Sequence, residues 1–200
     1  TRENGWKFAV FTRDPLERYA ASYGFACMPS HICWMGDYAN HRACCGDLVP
    51  RGAPDAAVRE GFERRALSDA AAGLPAEEAH WSPQVELLSN CGWDSFAPER
   101  LDFAGSVSVG DVPQQVRDML RLVKATEADL GLVDRFFPPG GISGHQNSIA
   151  DDYRSFYTKK ETVAAVKSLY DADYALMPGI GRGFTEEVTA TLEAKREPAS

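Results

Sequence analysis

The feature that most constrains this chain is an apolar run at residues 6–12 (WKFAVFT) that stops abruptly at Arg13-Asp14-Pro15. A short apolar run bounded by polar residues suits a buried strand. Asp14 is then a helix cap, Pro15 fits the first helical position, and Glu17 stands three residues after the cap. Leu16, Tyr19, Ala20 and Tyr23 follow at i, i+3, i+4 and i+7, one apolar stripe along a helix. The spacing predicts a strand, a tight turn and a helix, with Arg13 at the carboxyl end of the strand.

Further along, residues 27–56 are rich in Cys, Gly and Pro and read as an irregular, cross-linked excursion. Helices are predicted over 56–72 and 83–89, and a strand over 101–107 (LDFAGSV). Asp111 is placed to cap a helix striped by Val116, Met119, Leu120 and Val123. Residues 137–150 hold Pro138-Pro139-Gly140-Gly141 and read as loop. The box Thr158-x-x-Glu161 is expected to open a last helix carrying Val163, Val166, Leu169 and Tyr170. Residues 195–200 are expected to be a tail, which leaves a single domain over 1–194.

Strands alternating with helices predict an α/β domain with a mainly parallel sheet. In such sheets ligands bind beyond the carboxyl ends of the strands, where Arg13 stands. The first N–H groups of the next helix are free donors of partial positive charge, and a guanidinium beside them makes a phosphate site. The plainer alternative for the same residues is a surface ion pair of Arg13 with Asp14 or Glu17.

The net charge of −8 gives no global attraction for nucleic acid or anionic membranes, so no nucleic-acid partner is expected. No apolar run reaches the length of a membrane span. The chain begins without Met or a signal peptide and reads as a fragment of a longer protein, any membrane anchor lying upstream. Four of its five cysteines, Cys27, Cys33, Cys44 and Cys45, are interleaved with His31 and His41, and the fifth is Cys91. Their spacing, C-x5-C-x10-C-C, matches no zinc ribbon or finger. Disulfides in an oxidising lumen, a structural zinc and reduced thiols all stay open, and the first is preferred.

Residues 7–25 (KFAVFTRDPLERYAASYGF) resemble the 3′-phosphate-binding segment of the carbohydrate sulfotransferases, which use 3′-phosphoadenosine-5′-phosphosulfate (PAPS) as donor. That segment is a strand, then Arg-Asp-Pro-Leu/Phe-Glu-Arg, then a helix with a serine before an aromatic; residues 13–18 and Tyr23 match in place. Downstream, His80-Trp81-Ser82-Pro83-Gln84 and the later Cys91 are similar to the family's His-Trp-x-Pro-Gln stretch and its cysteine. Leu101-Asp102-Phe103-Ala104-Gly105 is similar to the strand that follows, although Ser106 and Ser108 stand where the family carries a basic and an acidic residue. Residues 156–174 resemble its closing helix.

The resemblance implies a three-layer, P-loop-NTPase-like sulfotransferase core, incomplete at the amino terminus. The family's phosphate loop, with the lysine that contacts the 5′-phosphosulfate, has no counterpart here, so this chain is expected to be incomplete for catalysis. The activity implied is sulfuryl transfer from PAPS to a hydroxyl of a glycan or another acceptor, leaving 3′-phosphoadenosine-5′-phosphate. Arg13 inherits the 3′-phosphate. The family's serine position is Ala21 here, and Ser22 is its neighbour, about 100° further round a helix. Transfer needs a base at the acceptor hydroxyl, and His80 is preferred over His31, His41 and His145 because it lies in a matched stretch. Trp81 is expected to stack on a sugar, and His145 to touch substrate or nucleotide. No resident metal is implied, and the family resides in the Golgi lumen behind an amino-terminal anchor. Two alternatives stand beside this reading: a non-catalytic glycan- or partner-binding descendant, and a metal-binding module built on the cysteine cluster.

Overall fold

Asp14 and Pro15 open the first helix as the sequence predicts. The Asp14 carboxylate accepts the Leu16 N–H at 2.9 Å and caps α1 (Pro15–Cys27). Pro15 takes the first helical position, where a missing N–H costs nothing. The structure, a computed structural model, describes residues 2–27, 53–74, 80–90, 92, 100–108, 111–138, 153–177, 179–180 and 183–195. Most of the cysteine-rich excursion, His31, His41, His145, Cys33, Cys44, Cys45 and Cys91 lie outside them.

Before α1, strand β1 (Ala9–Thr12) pairs in parallel with β2 (Phe103–Ser106), Ala9 facing Phe103 and Thr12 facing Ser106. Trp6, expected in the strand, is instead 66% exposed, and pairing starts only where Asp102 accepts the Phe8 N–H at 3.0 Å. Gly105 is where the pair lies tightest. A Cβ there would stand 2.5 Å from the Phe11 ring and 2.9 Å from that of Phe103, two rings tilted together at 5.6 Å. Bare backbone is what lets those rings close over the strands.

The other described helices are α2 (Asp55–Ala72), α3 (Gln84–Ser89), α4 (Val112–Leu122), α5 (Glu127–Gly131), α6 (Val133–Phe136), α7 (Lys160–Leu169), α8 (Asp171–Leu176) and α9 (Phe184–Ala194). The described residues are therefore mostly helical, with one small parallel sheet, an α/β arrangement. The stripe on α1 is wholly inside: Leu16, Tyr19, Ala20 and Tyr23 are all buried. They meet α2 through Phe62, whose ring lies 5.1–5.6 Å from those of Tyr19, Tyr23, Phe156 and Tyr157. Val163 and Val166 of α7 close the same core. Each such side chain contributes about 1.5–3 kcal/mol on burial, so this cluster is the main source of stability.

Three helix ends differ from expectation. Thr158 does not cap α7; its hydroxyl donates to Glu63 on α2, and the helix starts at Lys160. A buried carboxylate from another element outcompetes the local box. Val123 falls just past the end of α4 and is exposed, while Asp111 does cap that helix, accepting the Gln114 N–H at 3.1 Å. Helix α9 was not predicted. Phe184, Val188 and Leu192 form its buried side, and a glycine-rich approach without a capping side chain conceals its start.

Candidate functional site

The carboxyl end of β1 is held by side chains from five places in the chain. Asp14 is buried, and its carboxylate accepts the Leu16 N–H of its own helix. It also accepts the Thr185 N–H at 2.9 Å and the Thr185 hydroxyl at 2.7 Å, which fastens the start of α9 to the turn. Burial pushes the Asp14 carboxyl above its ordinary value, and these hydrogen bonds oppose the shift. The Asp14 N–H donates to the Ser108 hydroxyl at 2.6 Å, just past β2. The Arg18 N–H donates to the Asp14 carbonyl at 2.8 Å, and Glu17 N–H also reaches the Asp14 carboxylate.

The first-turn amides of α1 are thus satisfied within the protein. Sequence reasoning expected them to be donors for a phosphate. In this arrangement they are not, because Asp14 is a buried cap and Pro15 has no N–H to offer.

Arg13 keeps its side chain at the surface, a third exposed. Its guanidinium donates to Glu17 at 2.8 and 3.1 Å and lies 5.6 Å from the centroid of the Tyr153 ring. The ion pair foreseen as the plainer alternative is therefore present, made with Glu17. The backbone of Arg13 is gripped by Gln84, whose Oε1 accepts the Arg13 N–H at 2.9 Å. Its Nε2 donates to the Arg13 carbonyl at 2.8 Å. Behind Gln84 is Asp173 of α8, fully buried, which accepts from Gln84 N at 3.0 Å, Val85 N at 2.9 Å and Gln84 Nε2 at 3.3 Å. These two backbone donors are the first amides of α3, so Asp173 acts as a cap supplied from a distant helix.

The stretch 80–84 that includes Gln84 lies along α1. Ser22 donates to the His80 carbonyl at 2.7 Å, Tyr170 to the Trp81 carbonyl at 2.8 Å, and Arg18 to the Ser82 carbonyl. Three successive carbonyls are each met by a side chain, and two of the donors, Arg18 and Ser22, stand one turn apart on α1. Arg18 is half-buried in this contact. Burial lowers its pKa, while Tyr170 and Asp173 act the other way, and it stays a cation.

These contacts settle where the predicted residues stand. Ser22, expected to grip the phosphate with Arg13, is buried and gives its hydroxyl hydrogen to the His80 carbonyl. Trp81 is fully buried, with the Tyr19 ring at 4.9 Å and the Arg65 guanidinium 5.0 Å from its ring centroid. In this arrangement the Trp81 ring, expected to stack on a sugar, packs against protein side chains. His80 is exposed. Arg13 and the His80–Gln84 stretch, far apart in sequence, are brought together; His145 lies outside the described residues. The sequence does not announce Gln84 as a partner of Arg13, Thr185 and Ser108 as partners of Asp14, or Asp173 as the acceptor behind Gln84. Only the matched glutamine gave a signal, and it did not say what the amide would hold.

Among the described residues no group of three His, Cys, Asp or Glu side chains is placed to hold a metal ion. No described helix is long and apolar enough to cross a membrane. Comparisons with models of known protein families, with curated proteins and with solved structures return no match.

Proposed function

We propose that this chain is the carboxy-terminal part of a PAPS-dependent sulfotransferase that transfers a sulfuryl group to a hydroxyl of a carbohydrate acceptor. What carries the reading is the position of Arg13: a cation at the carboxyl end of a parallel strand, a third exposed, inside the Arg-Asp-Pro-Leu-Glu-Arg run. Ligands of parallel α/β sheets bind at such ends. Contact between Arg13 and the His-Trp-Ser-Pro-Gln stretch adds support, since the two segments that carry the resemblance form one unit. In this reading Arg13 holds the 3′-phosphate of PAPS, exchanging part of its pairing with Glu17 for the phosphate. Exposed His80 is the candidate base. Sulfuryl transfer is an in-line displacement that spreads charge over the equatorial oxygens, so cations and positioning dominate its catalysis. A three-layer, P-loop-NTPase-like core, a phosphate loop supplied upstream and residence in the Golgi lumen behind an anchor belong to the same proposal.

A second reading, a non-catalytic domain that binds a glycan or a partner, is favoured by one observation. The α1 amides and the Arg13 guanidinium already have partners within the chain. Thermal-shift titration with 3′-phosphoadenosine-5′-phosphate, with AMP and ATP as controls, separates the two. The enzyme reading expects stabilisation specific to the 3′-phosphate, about 2.7 kcal/mol at a hundredfold excess over Kd, and its loss in Arg13→Ala. Equal shifts with all three nucleotides, or none, favour the second reading.

A further inference from the structure

The chain contains the same device twice. At the end of β2, Gln115 of α4 accepts the Ser106 N–H at 2.7 Å and donates to the Ser106 carbonyl at 2.9 Å. Just past the end of β1, Gln84 does this to Arg13 at 2.9 and 2.8 Å. A carboxamide offers a donor and an acceptor side by side whatever the pH, as a neighbouring strand would. The two copies differ in what stands behind them. Asp173, fully buried, accepts from the Gln84 carboxamide and from the two amides that begin α3, so the direction of the Gln84 side chain is fixed from both ends. The residue gripped also differs: a serine at β2, and at β1 a half-buried arginine whose guanidinium reaches the surface.

We infer that Gln84 is the positioning residue for Arg13. Its carboxamide, aimed by Asp173, fixes the backbone of residue 13 and so sets where the guanidinium meets an anionic ligand. The inference rests on the reading that Arg13 binds the 3′-phosphate. Gln84 itself touches no ligand. It acts by keeping Arg13 from sampling other backbone conformations, so the ordering of that residue is complete before the ligand arrives.

The test is the affinity of the chain for 3′-phosphoadenosine-5′-phosphate, by calorimetry, in the wild type, Gln84→Met, Gln115→Met, Arg13→Ala and the Arg13→Ala/Gln84→Met double variant. The Arg13 Nε–H resonance of each variant that retains Arg13 is followed by nitrogen-15 NMR. Gln84→Met is expected to raise Kd about tenfold, the size of effect that loss of paired hydrogen bonds carries, and to shift and broaden the Arg13 Nε–H signal. Gln115→Met, whose grip is on Ser106 and which reaches the β1 end only through Ser108, should change both far less than Gln84→Met, and Gln84→Met should add nothing once Arg13 is alanine. If Gln84→Met fails to fold, Gln84→Asn, an amide one methylene too short, takes its place with the same expectations. Wild-type binding with Kd unchanged in the Gln84 variant overturns the positioning role alone and leaves the donor-site reading intact. A wild-type chain that does not bind the nucleotide overturns the donor-site reading, and the inference with it.

Discussion

The ends of β1 and β2 lie side by side, are closed by the same glutamine device, and are built to different depths. At β1 the glutamine is backed by a buried carboxylate on α8, the next residue is a buried cap, and α9 is tied on through Thr185. At β2 the glutamine comes from the neighbouring α4, and Ser106 and Gln115 are both half-buried. A polar end can be held by local or by distant parts of the chain. Local holding places few residues at stake. Distant holding makes the geometry of Arg13 depend on helices that begin at residues 84, 171 and 184.

Breaking the backing of each end should therefore have unequal effects. Asp173→Ala removes a fully buried acceptor from two backbone amides and a carboxamide. Unpaired buried donors cost about 1–3 kcal/mol each before relaxation, so a loss of about 3 kcal/mol is expected. Gln115→Ala strips the corresponding clamp from β2, where solvent reaches the freed groups, and about 1 kcal/mol is expected. Denaturant unfolding of both variants checks this. Equal losses would mean that Asp173 backs nothing of consequence.

The caps can be separated by pH. Burial raises the Asp14 carboxyl above its ordinary 3.8. The folded chain then holds more protons than the unfolded chain between 3.8 and the raised value, so Asp14 makes stability fall as pH rises through that window. Glu63, which anchors Thr158 and Lys159, behaves oppositely. Burial pushes it up, but hydrogen bonds from Lys159 and Thr158 prevail and hold it below its ordinary 4.5. Its stabilisation is complete above 4.5 and is lost as pH falls through the lowered value. Subtracting the stability–pH curve of Asp14→Asn from that of the wild type should leave a difference that declines with rising pH. The same subtraction with Glu63→Gln should leave one that rises. At neutral pH Asp14→Asn is expected to cost about 1–2 kcal/mol, since the amide keeps one acceptor and places a donor against the Thr185 N–H.

What could be read from sequence here follows contact distance. The α1 stripe, the Asp14 cap and the Asp111 cap depend on neighbours within two turns, and each stands as predicted. Thr158 carries the same local signature and was drawn off by Glu63, 95 residues away. Arg18 has its partner carbonyl 64 residues downstream, a contact that no local pattern announces. Ser22 and Trp81 were given ligand roles by motif position, which fixes proximity and says nothing of direction; both side chains turn inward. The buried i, i+4, i+8 side of α9, at Phe184, Val188 and Leu192, was legible and was obscured by the glycines before it. Arg13 lay on the surface of either reading, and its pairing with Glu17 is an i, i+4 contact that a helix starting at Pro15 already implied.

The smallest effect tests whether the two strand ends act as one. Ser108 follows β2 and accepts the Asp14 N–H at 2.6 Å, while its own N–H donates to the Ser106 hydroxyl at 3.1 Å. It is thus the side-chain link from the lightly held end to the deeply held one. Ser108→Ala leaves the Asp14 N–H without this acceptor at a half-buried position, and about 1 kcal/mol or less is expected. Its coupling to Gln115→Ala is the sharper quantity, because Gln115 fixes Ser106, which fixes Ser108. If the ends are linked through that chain, the double variant costs less than the sum of the singles by at least about 0.5 kcal/mol. Strict additivity in the unfolding free energies would mean that the β1 end keeps its shape without help from β2. The geometry of Arg13 would then rest on the helices and the backbone pairing of the strands, and not on Ser108.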